Sequence, residues 1–105
     1  MRQFDVFPNP DADSRTRFPY LVVLQSDLLE RLEDIVVAPL RNPRQGKPVP
    51  ILRLNPNVEV LGASYLIFMQ SLAAIPRRLL TAPIANLSSR RDEIIAALDV
   101  LFTGL

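Results

Sequence analysis

Arginine is the side chain best represented for chemistry here: of twelve cationic residues only Lys47 is not Arg. A guanidinium is a planar, permanently charged fork that matches carboxylates and phosphates bidentately. GC-rich codon usage produces the same bias, so the excess alone assigns no site. Histidine and cysteine are both absent. Their absence removes zinc clusters, thiol nucleophiles, disulfides and the usual general base. What remains is a chain equipped to bind by shape and hydrogen bonding, with no cofactor or metal expected.

Twelve basic against eleven acidic side chains leave a net charge of +1. That balance supplies no long-range field to hold nucleic acid or an anionic membrane. At 105 residues the chain reads as one domain over 1–105, large enough for a core but not for a core plus a deep cavity. Dimerisation would add buried surface. No apolar run approaches the roughly 18 residues a spanning helix needs, and Met1 to Asp5 lack a hydrophobic signal core. A cytoplasmic location is the expectation.

The elements that must position any site follow from proline and periodicity. Ten prolines against three glycines argue for a strand-and-turn body, since proline interrupts helices. Phe4 to Phe7 alternate before Pro8, and Asn9 to Ser14 read as a polar, exposed and mobile loop. Tyr20 to Leu24 are an apolar run closed by Gln25-Ser26-Asp27, and Ile35 to Ala38 read as a further strand. Arg41 to Pro50 form a second surface loop. Ile51 to Leu54, the turn Asn55-Pro56-Asn57 and Val58 to Leu61 give a hairpin signal. Periodicity leaves Tyr65 to Ile75 open between strand and helix, and Pro76 ends that element.

The final segment, Leu87 to Leu105, reads as one amphipathic helix. Ser88 or Ser89 can cap its first turn, and Asp92 and Glu93 lie near its positive end. Ile94, Ile95, Leu98, Leu101 and Phe102 form an apolar stripe, Asp99 lies off its centre, and Gly104 stands where a left-handed exit is needed. A helix running to the last residue makes that end a candidate working part.

Taken together, these segments resemble the CcdB toxin family, the gyrase-poisoning half of a plasmid-maintenance toxin–antitoxin pair. The pieces that carry the likeness are Val23 to Leu29, Val37 to Leu40, Ala73 to Pro76 and Leu87 through Leu105, in family order and spacing. The resemblance implies a mainly β, SH3-like small barrel with extra strands, of the CcdB/MazF/Kid type, with one C-terminal α-helix, assembled as a symmetric homodimer. It also favours strand over Tyr65 to Ile75. It implies no catalytic residue, the chemistry belonging to the target enzyme.

On the same resemblance, contact with the DNA gyrase A subunit falls to Ser26, Leu28, Leu29, Asp99, Phe102, Thr103, Gly104 and Leu105. A CcdA-like antitoxin, through a segment that folds on binding, would meet Asn9, Asp11, Asp13, Arg41, Arg44 and Lys47. DNA would be met only indirectly, through gyrase or the antitoxin. Where the family ends on Trp-Gly-Ile, this chain has Thr103-Gly104-Leu105. A buried Trp removes roughly 150 to 250 Å² from water, so the departure bears on the strength of poisoning and not on the fold. Two other readings stand beside this one. A ribonuclease toxin of the MazF or Kid type would need a basic groove, for which Arg15, Arg17, Arg77 and Arg78 are the candidates; a non-toxic binding module would share the barrel alone.

Overall fold

Residues 1–104 are described by the structure, a computed structural model that is mainly β with a nearly closed, barrel-like sheet and one C-terminal helix. Strands β1 (Asp5–Pro8), β2 (Tyr20–Val23), β3 (Asp34–Arg41), β4 (Asn57–Val60), β5 (Ala63–Ile67), β6 (Ala73–Pro76) and β7 (Ala85–Asn86) precede helix α1 (Arg91–Thr103). All pairings are antiparallel, in the order β4-β5-β3-β2-β1-β7 with β6 also against β3.

Alternation along β1 to β3 divides the interior in two, because successive side chains point to opposite faces of a strand. Phe4, Val6, Val22, Ala38 and Leu40 enter the larger core, which they share with Ile67, Met69, Ile94 and Ala97. Phe7, Leu21, Val23, Ile35 and Val37 enter a second, smaller core with Leu80. Both faces of these strands are therefore covered, which is why Leu21 to Val23 are apolar without a polar alternate.

β3 changes partner along one edge. Asp34 to Val37 pair with β6, whereas Leu40 and Arg41 pair with β5. Pro39 lies at the changeover, a place suited to a residue with no N–H to give a ladder. The Phe68 N–H donates to the Pro39 carbonyl at 2.9 Å, and a 3-10 turn over Met69–Ser71 carries the chain across the gap. The expected single strand from Tyr65 to Ile75 is thus two strands separated by a turn.

The expected hairpin is displaced as well. Ile51 to Leu54 are turns and not strand, with Ile51 and Leu52 exposed. Proline at 48 and 50 denies the segment a regular ladder. Buried Asn55 locks it instead, accepting from the Ile51 N–H at 2.9 Å and donating to the Ile67 carbonyl at 3.1 Å. The true reversal joins β4 to β5 through Leu61-Gly62, both with positive φ, 51° and 83°. A two-residue loop with positive φ at both positions matches strand twist and favours Asn-Gly. Leu61 is exposed there and gains nothing from burial. Leu61→Asn is expected to stabilise the domain by about 0.5–1 kcal/mol, seen as a rise of a few degrees in Tm.

The C-terminal segment departs from one continuous helix. Ser88–Arg90 form a 3-10 turn before α1 begins. Neither serine caps the helix; the Asn86 side chain accepts the Ser88 N–H at 2.8 Å, and Arg90 occupies the N-cap position of α1. The buried line is Ile94 and Ala97, flanked by half-buried Ile95, Leu98 and Leu101, while Phe102 lies outside it. Asp99 is exposed and Gly104 takes the left-handed conformation, φ 76°, as expected.

Arg90 reaches one turn along to Glu93, donating from Nε at 2.7 Å and from Nη2 at 2.6 Å. Hydrogen bonding to Arg90 holds the Glu93 carboxyl below its usual range. A carboxyl depressed on folding contributes stability above its unfolded pKa and loses it as pH falls through the folded value. Both partners are substantially exposed, so the contribution is small, about 0.2–1 kcal/mol. Glu93→Gln is expected to lower stability by no more than that at neutral pH, and the difference should vanish in acid melts below the carboxylate range.

Candidate partner-binding surface

The turn after β2 is built by the three polar residues that close it. Gln25 donates from Nε2 to the Leu29 carbonyl at 3.2 Å and accepts from the Val36 N–H at 3.2 Å. Ser26 Oγ accepts the Leu28 N–H at 3.2 Å, capping a single 3-10 turn over Asp27–Leu29. Asp27 Oδ1 takes the Gln3 N–H at 2.6 Å, tying the turn to the start of the chain. From the far side Arg77 donates to the carbonyls of Leu32 at 3.0 Å and Leu29 at 3.4 Å. Gln25-Ser26-Asp27 therefore spend their side chains on backbone, and the aliphatic residues that follow are left outside. Leu28 is 92% exposed and Leu29 49%.

The end of α1 presents the second group. Thr103 Oγ1 donates to the Asp99 carbonyl at 2.6 Å, and the Gly104 N–H to that of Val100 at 3.1 Å. Those bonds close the last turn and hold its side chains in a fixed array. Phe102, 70% exposed, points away from the core that Ile94 and Ala97 enter. Asp99, Thr103 and Gly104 are exposed beside it. Leu105 lies outside the described residues. The seven described positions thus fall on two elements, Ser26, Leu28 and Leu29 at one turn and Asp99, Phe102, Thr103 and Gly104 at the helix end. Ordinary core packing, the plain alternative for Leu28, Leu29 and Phe102, does not hold for any of them.

The loop residues divide differently. Asn9 is buried, donating to Ser14 Oγ at 3.0 Å and the Phe18 carbonyl at 2.7 Å and accepting from the Asp11 N–H at 2.9 Å. It is the internal clamp of a loop expected to be exposed throughout. Asp11 Oδ2 accepts from the Ser14 hydroxyl at 2.8 Å, and Asp13 is exposed. Arg41, read as the first residue of a surface loop, is the last residue of β3 and only 8% exposed. Its pairing with Leu66 extends the ladder past Pro39. Arg44 donates to the Ser64 carbonyl at 2.9 Å and lies 5.0 Å from the centre of the Tyr65 ring. Lys47 is exposed.

The four arginines offered for a ribonuclease groove belong to two places. Arg15 binds the Asn9 and Pro10 carbonyls, and Arg17 follows it in the same loop. Arg77 is engaged at the Leu29–Leu32 turn, with Arg78 next to it.

Sequence reasoning missed two surface features. Leu32 is exposed just past the turn that carries Leu28 and Leu29, its N–H donating to the Leu29 carbonyl at 3.2 Å. Ile51 and Leu52, expected in a strand, instead line an apolar groove of about 490 Å³ with Pro50, Asn57, Leu66 and Ala96. The prolines around them were the cue that they would not pair.

Comparison with known proteins gives one result on which the reading can rest. The family model described as CcdB protein matches residues 3–104 of the 105. No curated protein matches at a significant level.

Proposed function

The chain belongs to the CcdB family, and from that premise we propose that it is the toxin of a type II toxin–antitoxin system whose target is the DNA gyrase A subunit. Family membership supports the toxin; the target rests on the surface. Large apolar side chains held rigidly in water have no folding benefit, and patches of this kind mark contact sites. Leu28 at 92% exposure and Phe102 at 70% are the observation that carries the reading. Thr103, in the position of the family's tryptophan, offers little area, and Phe102 is the aromatic available next to it.

The mechanism needs no catalytic residue. The chain works as one unit over 1–105, and as a symmetric homodimer it presents each patch twice to a two-fold target, so a modest contact is repeated. Poisoning follows if that contact is made only with the gyrase conformation that holds cleaved DNA, because differential affinity for one state shifts the population toward it. A CcdA-like antitoxin then neutralises it by occupying the surface near Asp11, Asp13, Arg44 and Lys47, which are exposed. Buried Asn9 shapes that surface from beneath. Among the described residues no helix is long and apolar enough to cross a membrane, which suits a cytoplasmic encounter with gyrase.

Capture of purified gyrase A subunit, followed by detection of cleaved plasmid DNA, tests the proposal. Phe102→Ala is expected to weaken capture about tenfold or more, as for an aromatic anchor in a contact patch, with Tm nearly unchanged. Unchanged capture would remove Phe102 from the interface. Rapid loss of mRNA after induction, with no DNA-damage response, would replace the gyrase poison by the ribonuclease.

A further inference from the structure

Positive charge is concentrated where the β1–β2 connection meets the end of β3. The Asn42 N–H donates to the Arg17 carbonyl at 2.9 Å, drawing the two segments together. The Arg17 guanidinium then lies 5.4 Å from the centre of the Phe18 ring, and that of Arg41 lies 5.9 Å from the same centre. Arg41 donates from Nη1 to the Asn42 carbonyl at 2.7 Å. Among the described residues neither arginine is ion-paired. Burial, and after it the charge of Arg17, hold the Arg41 pKa below its ordinary value. Arg41 is buried without an acid, and buried charges are normally paired; with Arg17 exposed beside it, the two guanidiniums are left for an anion supplied from outside.

Gly46 lies against the Arg41 guanidinium. A Cβ placed there would stand 2.9 Å from Arg41 Nη2, and the residue has φ +70°. Only glycine lets the loop pass over the guanidinium without a side chain displacing it.

We propose that Arg17 and Arg41, converging on Phe18, form a subsite for one carboxylate of an acidic peptide. A bidentate guanidinium suits a carboxylate in geometry and charge. Nucleic acid is disfavoured because the rings nearby are already engaged: Phe18 meets Phe68 edge-on at 5.6 Å, and Tyr65 is engaged by Arg44 and by Tyr20 at 5.3 Å. The net charge of +1 also gives no field to gather a polyanion. The subsite deepens the antitoxin half of the proposed function, on which it rests for its biological partner, by naming the side chain that partner presents.

Fluorescence anisotropy with a labelled oligoglutamate peptide, run beside a labelled oligothymidylate, tests it. The peptide is expected to bind the unmodified chain, and Arg17→Gln to weaken it about tenfold or more, the loss of one charge-assisted hydrogen bond or two. Removing Arg17 also relieves repulsion on Arg41, so the Tm of Arg17→Gln should not fall; a purely structural arginine would lower it. Arg41→Gln and Gly46→Ala should weaken the peptide similarly, and Arg17→Gln keeps the test decisive if either fails to fold. Equal peptide affinity for Arg17→Gln, no peptide binding, or Arg17-dependent binding of the oligothymidylate alone would each overturn the subsite. Because the probe is not the antitoxin, the two readings fail separately. A partner antitoxin that binds without involving these arginines counts against the partner assignment and leaves oligoglutamate binding intact.

Discussion

Ile94→Asp is expected to abolish the cooperative thermal transition. Ile94 is fully buried in the larger core, in the cluster that holds Phe4, Leu40, Ile67 and Met69. Removing its side chain costs about 2–5 kcal/mol in lost burial and cavity. A carboxylate there has no charged partner in the cluster, and holding it in an apolar site or protonating it adds several kcal/mol more. The sum is comparable with the whole stability of a domain this size, about 5–15 kcal/mol. Circular dichroism on heating checks it, and a sharp transition near the unmodified Tm would show that α1 does not close the core. Leu98→Asp should be milder, because Leu98 is only half-buried.

Leu28→Asp should do the opposite, leaving the melt alone and abolishing growth arrest. At 92% exposure Leu28 contributes almost no buried area, and the bond its N–H makes to Ser26 Oγ belongs to the backbone. Exposed substitutions of this kind stay within about 0.5 kcal/mol. Binding is another matter, since an aliphatic anchor replaced by a carboxylate in a desolvated contact loses about 2 kcal/mol or more. That is roughly thirtyfold, and a two-fold complex makes the loss at each of two copies. Titration of purified gyrase A subunit and growth after induction measure the two consequences. Undiminished gyrase affinity would remove the 27–29 turn from the interface, whereas a large fall in Tm would make Leu28 structural.

The two experiments separate the faces of a small domain. Ile94 and Phe102 lie eight residues apart on one helix and were read as members of one stripe. At 3.6 residues per turn, a stripe through Ile94 and Ala97 carries Leu101 along its centre and leaves Phe102 outside it. Spacing alone could not decide this, because both rows are apolar. The cover provided by Met69 and the strands beneath α1 decided it.

Strand boundaries were legible where a strand keeps the same neighbours along its length. Tyr20 to Leu24 were recognised as an apolar run, and β2 spans Tyr20–Val23. The run Ile35 to Ala38 was recognised but cut short at Pro39, because proline ordinarily ends a central strand. β3 continues to Arg41 because its edge partner changes from β6 to β5 at that point. A partner change is a long-range event with no local signature, and the same event broke the expected Tyr65–Ile75 strand.

Determined by the sequence itself were the properties that depend on composition or on neighbours a few residues apart: a chain without histidine or cysteine, a proline-punctuated β body, a C-terminal helix and its left-handed exit at Gly104. The order and spacing of its segments also carried the family. Tertiary structure decided which apolar residues are core and which are surface, where β3 changes partner, and that Arg17 comes to lie beside Arg41. Each of these turns on contacts between residues far apart in the chain. Local propensity is blind to them, because burial is a property of what covers a side chain and not of the side chain itself.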